Sequence, residues 1–324
     1  MINRRTALGV IAATTATTLP GLASSQTNYP SKTVRWIVPF GAGGPGDVIA
    51  RTVTMKLSQK WGQSVVVDNK PGGYTTIAAA EAAKASPDGY TLFQPIDGTL
   101  IMNPFMFERL PYSPDDFALI TTLAALPIVL VANGAFPAQT LRQFVDYAKA
   151  RPGELSYGFV TGSTQIAGHL FCEHLGIQMT PIPYKSSADS ARAVVAGEVQ
   201  VAFDGPTTYL GGHVQAGKAR FLANLSRRKF SALSQVPNAI DVGYSGLGGD
   251  IWHGLVGPAR MDKTVQAKIM TDTQEALHDP AVKARLADLS LEPLLMSGDE
   301  FARLVRSDSE KLGPVIKRLG IKVQ

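Results

Sequence analysis

The stretch that most narrows what this chain can fold into is Val34-Arg-Trp-Ile-Val-Pro-Phe-Gly-Ala-Gly-Gly-Pro-Gly-Asp47. The apolar run Val34 to Val38 predicts a buried strand, and Pro39 stops it. Glycines follow at 41, 43, 44 and 46. Ile49, Val53, Leu57 and Trp61 then recur at four-residue spacing, which predicts a helix with one buried face. A strand, a glycine turn and a helix N-terminus together form an anion site, because the first helical turn has free N–H groups at its positive dipole end. Glycine lets a ligand approach the backbone closely. The same residues satisfy a dinucleotide fingerprint, Gly41-x-Gly43-x-x-Gly46, with Asp68 about 20 residues on in the position of a ribose-binding acid. Two readings stand at this point: a nucleotide-binding oxidoreductase, or a receptor that holds a small anion.

The chain after this stretch repeats strand and helix signals. Val65 to Asp68 reads as a strand, Thr75 to Ala85 as a helix and Tyr90 to Phe93 as a strand, which implies a parallel sheet covered by helices. Asn103 to Pro114 reads as irregular. Phe117 to Val131 holds two apolar runs broken at Pro127. The pattern then restarts. A Thr140-x-x-Gln143 capping box opens a helix, Leu155 to Val160 is a strand, and Thr161-Gly162-Ser163 leads into a helix closed by Gly176. Strands at Thr180 to Tyr184, Val199 to Phe203 and Ala219 to Leu225 alternate with helices. Asp250 to Val256 is a last strand before three helices, the third opened by a Ser297-x-x-Glu300 capping box. The expectation is an α/β protein of two doubly wound domains. Their ligand-binding strand ends would face each other across a cleft.

Of 324 residues, 45% are hydrophobic and 18% charged, with a net charge of +5, so nothing marks the chain as disordered. The basic residues are dispersed, and Arg227-Arg228-Lys229, the one cluster, reads as a solvated turn; nucleic acid is not an expected partner. Residues 1–26 read as a cleaved export signal: a basic start, an apolar Ala7 to Leu22 and small residues at Gly21-Leu-Ala23. Arg4-Arg5 followed by Leu8 partly matches a twin-arginine signal, with Ala7 where Phe is usual. Periplasmic placement follows. Cys172 is the single cysteine, which excludes an internal disulfide and reads as a buried thiol. His169, His174, His213, His253 and His278 show no metal-ligand spacing, and no Gly-x-Ser-x-Gly elbow is present. No metal or cofactor is expected, and no catalysis.

Several residues stand where a ligand would be met. Asp47 falls in the first turn of its helix, where it interacts with the dipole or shapes the loop. Asp204 ends a strand before Gly205-Pro206 and is placed to face a cleft. Tyr74 and Thr75 begin a helix after two glycines. Ser163 reads as an N-cap that can also face a ligand.

The chain resembles, over essentially its whole mature length, the periplasmic solute-binding receptors of tripartite tricarboxylate transporters, the Bordetella uptake gene family. The likeness is carried by Ile37-Val-Pro-Phe-x-x-Gly-Gly-x-x-Asp47-x-x-x-Arg51, Asn69-Lys-Pro-Gly72 and Ser86-Pro-Asp-Gly-Tyr-Thr-Leu92. Further on it is carried by Ala148-Lys-Ala-Arg-Pro-Gly153, Gly162-Ser163, Pro183-Tyr-Lys185 and Trp252-x-Gly254-Leu-x-x-Pro258. The resemblance implies a type II periplasmic-binding-protein fold, a Venus flytrap whose two domains close on a small organic acid around a hinge. It implies residues 27–125 with 250–324 as one domain and 126–249 as the other. It points to ligand contacts at Phe40, Gly43, Gly44 and Asp47, at Gly72, Gly73, Tyr74 and Thr75, at Gly162, Ser163, Thr164 and Gln165, and at Asp204. The implied partners are a small carboxylate and integral-membrane transporter subunits, with the receptor itself a monomer. The alternatives are an exported nicotinamide-dependent oxidoreductase using the Gly41 loop and a receptor serving a membrane sensor. The chain departs from the family at Pro71-Gly-Gly-Tyr-Thr75, where Pro-Gly-Ala-Gly-Gly is usual. It also departs at Ile166 (usually His), Ser186 (Gly) and Asp189 (Pro).

Overall fold

The computed structural model describes residues 29–226, 228, 230–244 and 249–323. The proposed signal and two residues of the basic cluster, Arg227 and Lys229, lie outside them. In chain order the first elements are β1 (Val34–Val38), α1 (Pro45–Trp61), β2 (Val65–Asn69), α2 (Thr76–Ala83) and β3 (Thr91–Phe93). A π-helical run, Gly98–Met102, passes directly into α3 (Asn103–Met106). Then come β4 (Phe117–Pro127), β5 (Val129–Asn133), α4 (Leu141–Lys149), β6 (Leu155–Phe159) and α5 (Gly162–Leu175). They are followed by β7 (Met179–Pro183), α6 (Ser187–Ala196), β8 (Val201–Asp204), α7 (Thr208–Gln215) and β9 (Ala219–Asn224). The chain ends with β10 (Asp250–Pro258), α8 (Lys263–His278), α9 (Pro280–Ala287), β11 (Glu292–Pro293) and α10 (Gly298–Arg318).

The strands form two sheets, ordered β11-β4-β10-β3-β1-β2 and β7-β6-β8-β5-β9. In the first, β1 lies parallel to both β2 and β3, with Val34 opposite Val65 and Trp36 opposite Leu92. In the second, β6 lies parallel to β7 and β8. Both parallel cores therefore carry their glycine-bearing turns at the carboxyl ends of the strands, as the alternation of signals predicts. The chain crosses between sheets at Ile128, between β4 and β5, and returns between β9 and β10.

Three local features differ from the sequence reading. Residues 98–106 are helical, and Asn103-Pro104 is the signal that marks them, since proline suits the first turn of a helix. The box at Thr140 is half made: Thr140 Oγ1 accepts from Gln143 N at 3.2 Å, whereas Gln143 Oε1 accepts from Gln139 N. The Ser297 box is complete. The cap of α5 is Thr161, not Ser163: Thr161 Oγ1 accepts from Thr164 N at 3.3 Å, and Thr164 Oγ1 accepts from Thr161 N at 3.0 Å.

The lobes touch through α5. Ile166 and Leu170 pack among Leu100, Met102, Phe301 and Leu304 of the first lobe. Arg318 of α10 pairs with Glu173 of α5 through both carboxylate oxygens.

Candidate functional site

The β1–α1 loop is built around Asp47, which is 3% exposed. Its Oδ2 accepts from Gly43 N and from Arg51 Nε, both at 2.9 Å, and its Oδ1 accepts from Asn69 Nδ2 at 2.9 Å. Asn69 Nδ2 also donates to the Phe40 carbonyl. Burial works to raise the Asp47 pKa, but the bonds from Arg51, Gly43 and Asn69 and the Arg51 charge hold it below its usual value. Asp47 thus shapes the loop, and its oxygens are already engaged. Gly43 sits at φ +86, in the left-handed region that glycine tolerates. Gly44 caps α1 without any side-chain bond, which leaves N–H groups of that first turn to a ligand or to solvent.

A buried polar chain supports the loop from behind. Trp36 Nε1 donates to Gln94 Oε1 at 2.9 Å, and Gln94 Nε2 donates to the Gly46 carbonyl at 2.9 Å. Gln94 Nε2 also lies 3.3 Å from His253 Nδ1. The Trp36 indole can only donate, so it fixes which end of the Gln94 amide is nitrogen, and His253 Nδ1 must accept. Burial lowers His253 to about 4, so the ring is neutral at ordinary pH. Gly46 has no room for a side chain: a Cβ there would lie 2.9 Å from Phe40 and 3.2 Å from His253. The third glycine of the apparent dinucleotide fingerprint is therefore a packing residue. Asp68, its acid, is tied to Arg35, whose Nε donates to Oδ2 at 2.8 Å.

The second loop runs left-handed through Gly73, Tyr74 and Thr75, at φ +56, +53 and +76. Two of the three are not glycine, and each costs about 1–2 kcal/mol that neighbouring structure must offset. The 98–106 segment provides that support. Asn103 Nδ2 donates to the Tyr74 carbonyl at 2.8 Å, and the Thr75 and Thr99 hydroxyls meet at 2.7 Å. Tyr112 OH donates to the Thr99 carbonyl at 2.6 Å. The Tyr74 ring, 41% exposed, stands edge-on to Phe107 at 6.2 Å.

On the opposite wall, the α5 N-terminus abuts the same 98–106 segment. A Cβ on Gly162 would sit 3.4 Å from Met106 Sδ, and one on Gly98 would sit 3.9 Å from Ser163 Oγ. Thr164 is consumed by the cap, and Gln165 is half-buried one residue further on. Ser163 is 3% exposed, and its Oγ lies beside the Asp97 carboxyl without a well-formed hydrogen bond. Asp204, at the carboxyl end of β8, accepts from Ser187 Oγ at 3.0 Å and from Gly205 N at 2.8 Å through Oδ1. Its Oδ2 is buried without a partner, and burial pushes its carboxyl up to about 7 against both of those bonds.

A cavity of about 280 Å³ lies where the lobes meet, lined by residues of both, including Asp97, Ser163, Arg228 and Trp252. Of the residues expected to contact ligand, Ser163 alone lines it. The β1–α1 loop, the Gly72–Thr75 turn and Asp204 lie outside its lining, and Asp97 and Arg228 were not anticipated. Asp97 was recoverable as the one acid in the apolar run from Leu92 to Met102. Arg228 lies within the expected solvated turn.

Changing Asp47 to Ala should loosen the first loop, because Gly43 N–H and the Asn69 amide lose their acceptor. Hydrogen bonds to a charged group such as this part-buried carboxylate contribute about 1.5–3 kcal/mol each. Urea denaturation should show a loss of about 2 kcal/mol; a loss of a few tenths would mean the loop is held by its glycines and packing alone.

A family model described as the tripartite tricarboxylate transporter family receptor matches residues 49–321. A UPF0065 protein of Bordetella pertussis is 30% identical over 315 residues, covering 96% of this chain and 97% of the relative. Among solved structures, one described as a periplasmic transporter superposes with a TM-score of 0.81 at 35% identity, covering 91% of this chain and all of the other. An R. palustris protein solved with adipate gives 0.82 at 28% identity, over 91% of this chain and 99% of that one. MatC from Rhodopseudomonas palustris, solved with malate, gives 0.77 at 27% identity, over 89% of this chain and all of that one. Two α/β lobes around a cleft, the Venus-flytrap arrangement, are common ground with these structures. The match spans both lobes, and the chain belongs to the receptor family of the tripartite tricarboxylate transporters.

Proposed function

We propose that this protein is an exported, monomeric receptor that takes a small organic acid between its lobes and presents it to the membrane subunits of a tripartite transporter, without catalysis. The observation that carries this reading is that each lobe presents backbone donors or under-satisfied polar side chains at the carboxyl ends of its parallel strands, the ends that ligands meet in such sheets. The first lobe contributes the uncapped first turn of α1 and the strained Gly73–Thr75 turn. The second contributes the start of α5 with Ser163, and Asp204 with its free Oδ2. The relatives solved with adipate and with malate support a carboxylate as ligand. Gly44, Tyr74, Thr75, Gly162 and Ser163 are proposed to meet the ligand, with Phe40, Gly43, Asp47, Gly72, Gly73, Thr164 and Gln165 supporting them. Residues 27–125 with 250–324 are proposed to move as one body and 126–249 as the other, with the hinge where the chain passes between the sheets, near Ile128 and on the β9–β10 return. Among the described residues no helix is long and apolar enough to cross a membrane, and no group of three or more His, Cys, Asp or Glu residues is placed to hold a metal.

A screen of mono-, di- and tricarboxylates by thermal denaturation tests the reading. A true ligand at 100 times its dissociation constant stabilises by about 2.7 kcal/mol. Solution scattering with that ligand should show a smaller radius of gyration as the lobes close. Stabilisation by a nicotinamide dinucleotide and by no carboxylate would sink the reading.

A further inference from the structure

Nine buried side-chain atoms among the described residues lack a well-formed hydrogen bond, and four of them belong to residues lining the cavity between the lobes: Asp97 Oδ1, Ser163 Oγ, Arg228 Nη1 and Trp252 Nε1, with the Ser163 hydroxyl close enough to Asp97 to bear on its charge. Native interiors pair such groups, so a concentration of unpaired ones calls for something that meets them. Asp97, Ser163 and Trp252 are 5%, 3% and 3% exposed, so bulk solvent does not satisfy them. Much of the remaining wall is apolar, with Ile166 of α5 and Leu304 of α10 among its residues. A volume of about 280 Å³ admits one small organic molecule.

The polar groups divide by chemistry. Trp252 Nε1 and Arg228 Nη1 can only donate, Ser163 Oγ can do either, and an ionised Asp97 accepts only. Arg228 is oriented by Asp250, whose Oδ2 lies 4.0 Å from its Nε. A ligand carboxylate suits the donors. Set against Asp97 it would meet a like charge, and Asp250 and Asp308 add negative potential at that acid. A hydroxyl or an ammonium set against Asp97 meets an acceptor instead.

We propose that this cavity is the specificity subsite of the cleft, where Asp97 takes a hydrogen-bond donor on the ligand while Trp252, Arg228 and Ser163 take an acceptor, so that hydroxy- or amino-substituted carboxylates are selected over unsubstituted ones. The proposal rests on the carboxylate-receptor reading and adds the ligand's second polar group. Burial pushes Asp97 up to about 7, against the neighbouring Ser163 hydroxyl and Gly98 amide, so the acid is near balance at neutral pH. An ammonium ligand draws it to the charged form, and a hydroxyl meets either form.

Matched probes test this on the mature protein. Succinate, malate and aspartate share one skeleton and differ by hydrogen, hydroxyl or ammonium at one carbon. Benzoate and 4-hydroxybenzoate repeat the contrast on a ring. Calorimetry should find a donor-bearing member bound at least about tenfold more tightly than its unsubstituted partner. Asp97→Asn should shrink that ratio by about fivefold or more while the unsubstituted acid's Kd moves by less than about threefold, and Trp252→Phe should weaken both members of a pair alike. Trp252→Phe keeps the edge-on packing against Phe301, at 5.1 Å, and so guards against a trivial loss of fold. A wild-type ratio near one, or a ratio that Asp97→Asn leaves unchanged, overturns the subsite while leaving the receptor reading intact. If none of these acids binds the wild-type protein, the carboxylate reading fails and the subsite fails with it.

Discussion

Lowering the pH from 7.5 to 5.5 should make the empty protein more resistant to urea, by about 2 kcal/mol, and the Asp97→Asn/Asp204→Asn double variant should reverse the sign. Both acids are buried, 5% and 4% exposed, and burial pushes each from an ordinary 3.8 up to about 7. At about 1.4 kcal/mol per pH unit, ionising either one in place costs about 4 kcal/mol. Each keeps its proton in the folded state over a range where the unfolded chain has lost it. Their stabilising share is therefore complete below 3.8 and is lost as pH rises to about 7.

His253 acts in the opposite sense. Burial lowers its pKa from 6.5 to about 4, so its share is complete above 6.5 and is lost as pH falls towards 4. His169, lowered by burial as well, adds to that sense. Between 6.5 and 5.5 two aspartates oppose the histidines, and the net slope is about 1.4 kcal/mol per pH unit or somewhat less, in favour of acid. Between 7 and 6.5 the aspartates act almost alone. Removing both leaves the histidines, and stability should then fall with pH over the same window. Asp47, whose pKa is lowered, keeps its full stabilising share above 3.8 and loses it only as pH falls below, outside this window. A double variant that kept the wild-type slope would mean the two carboxyls are hydrated or paired in solution and titrate normally.

The elements that sequence made legible are those whose signal is local. β1 and β6 appear as short apolar runs because both faces of a parallel sheet are covered there, whereas β2 is an apolar run on the sheet edge with Val66 exposed. α5 appears through Ala167, Phe171 and Leu175, closed by a left-handed Gly176. Asp47 was readable as a loop-shaping acid because Gly43 and Arg51 are its chain neighbours. The site's less legible parts depend on contacts between distant residues. The 98–106 helical run is apolar almost throughout, so it shows no period. Its position is set by Asn103 reaching back to Tyr74 and by Thr99 meeting Thr75. Gly162 and Ser163 both look like cap residues, so the cap was placed two residues late; the paired hydroxyls of Thr161 and Thr164 decide it. Asp97, Arg228 and Trp252 come from three separate segments, and only the folded arrangement of the lobes brings them to one cavity.

Gly168 is the clearest case of a residue whose role the pattern hides, and changing it to Val should cost about 3 kcal/mol or more of stability. It lies mid-helix in α5, where glycine is ordinarily a liability of about 1 kcal/mol relative to Ala. Here its missing side chain lets the helix settle onto the second sheet. A Cβ at 168 would lie 2.4 Å from Tyr157 Cε2, 2.7 Å from Cζ and 3.0 Å from Phe203 Cδ2. Neither ring can yield: both are fully buried, set edge-on to each other at 5.2 Å, and Phe171 packs on Phe203 at 5.3 Å. The helix itself must therefore move outward. Since α5 carries Gly162 and Ser163 to Met106 and Asp97, a shift of about 1 Å in the helix should also weaken ligand binding by tenfold or more. Gly211→Ala in α7, where a Cβ meets nothing within 4 Å, should be neutral or stabilising by about 1 kcal/mol and serves as the control. Urea denaturation and calorimetry on both variants decide it. If Gly168→Val kept wild-type stability and affinity, the close seat of α5 on Tyr157 and Phe203 would not be what aims its N-terminus at the cleft.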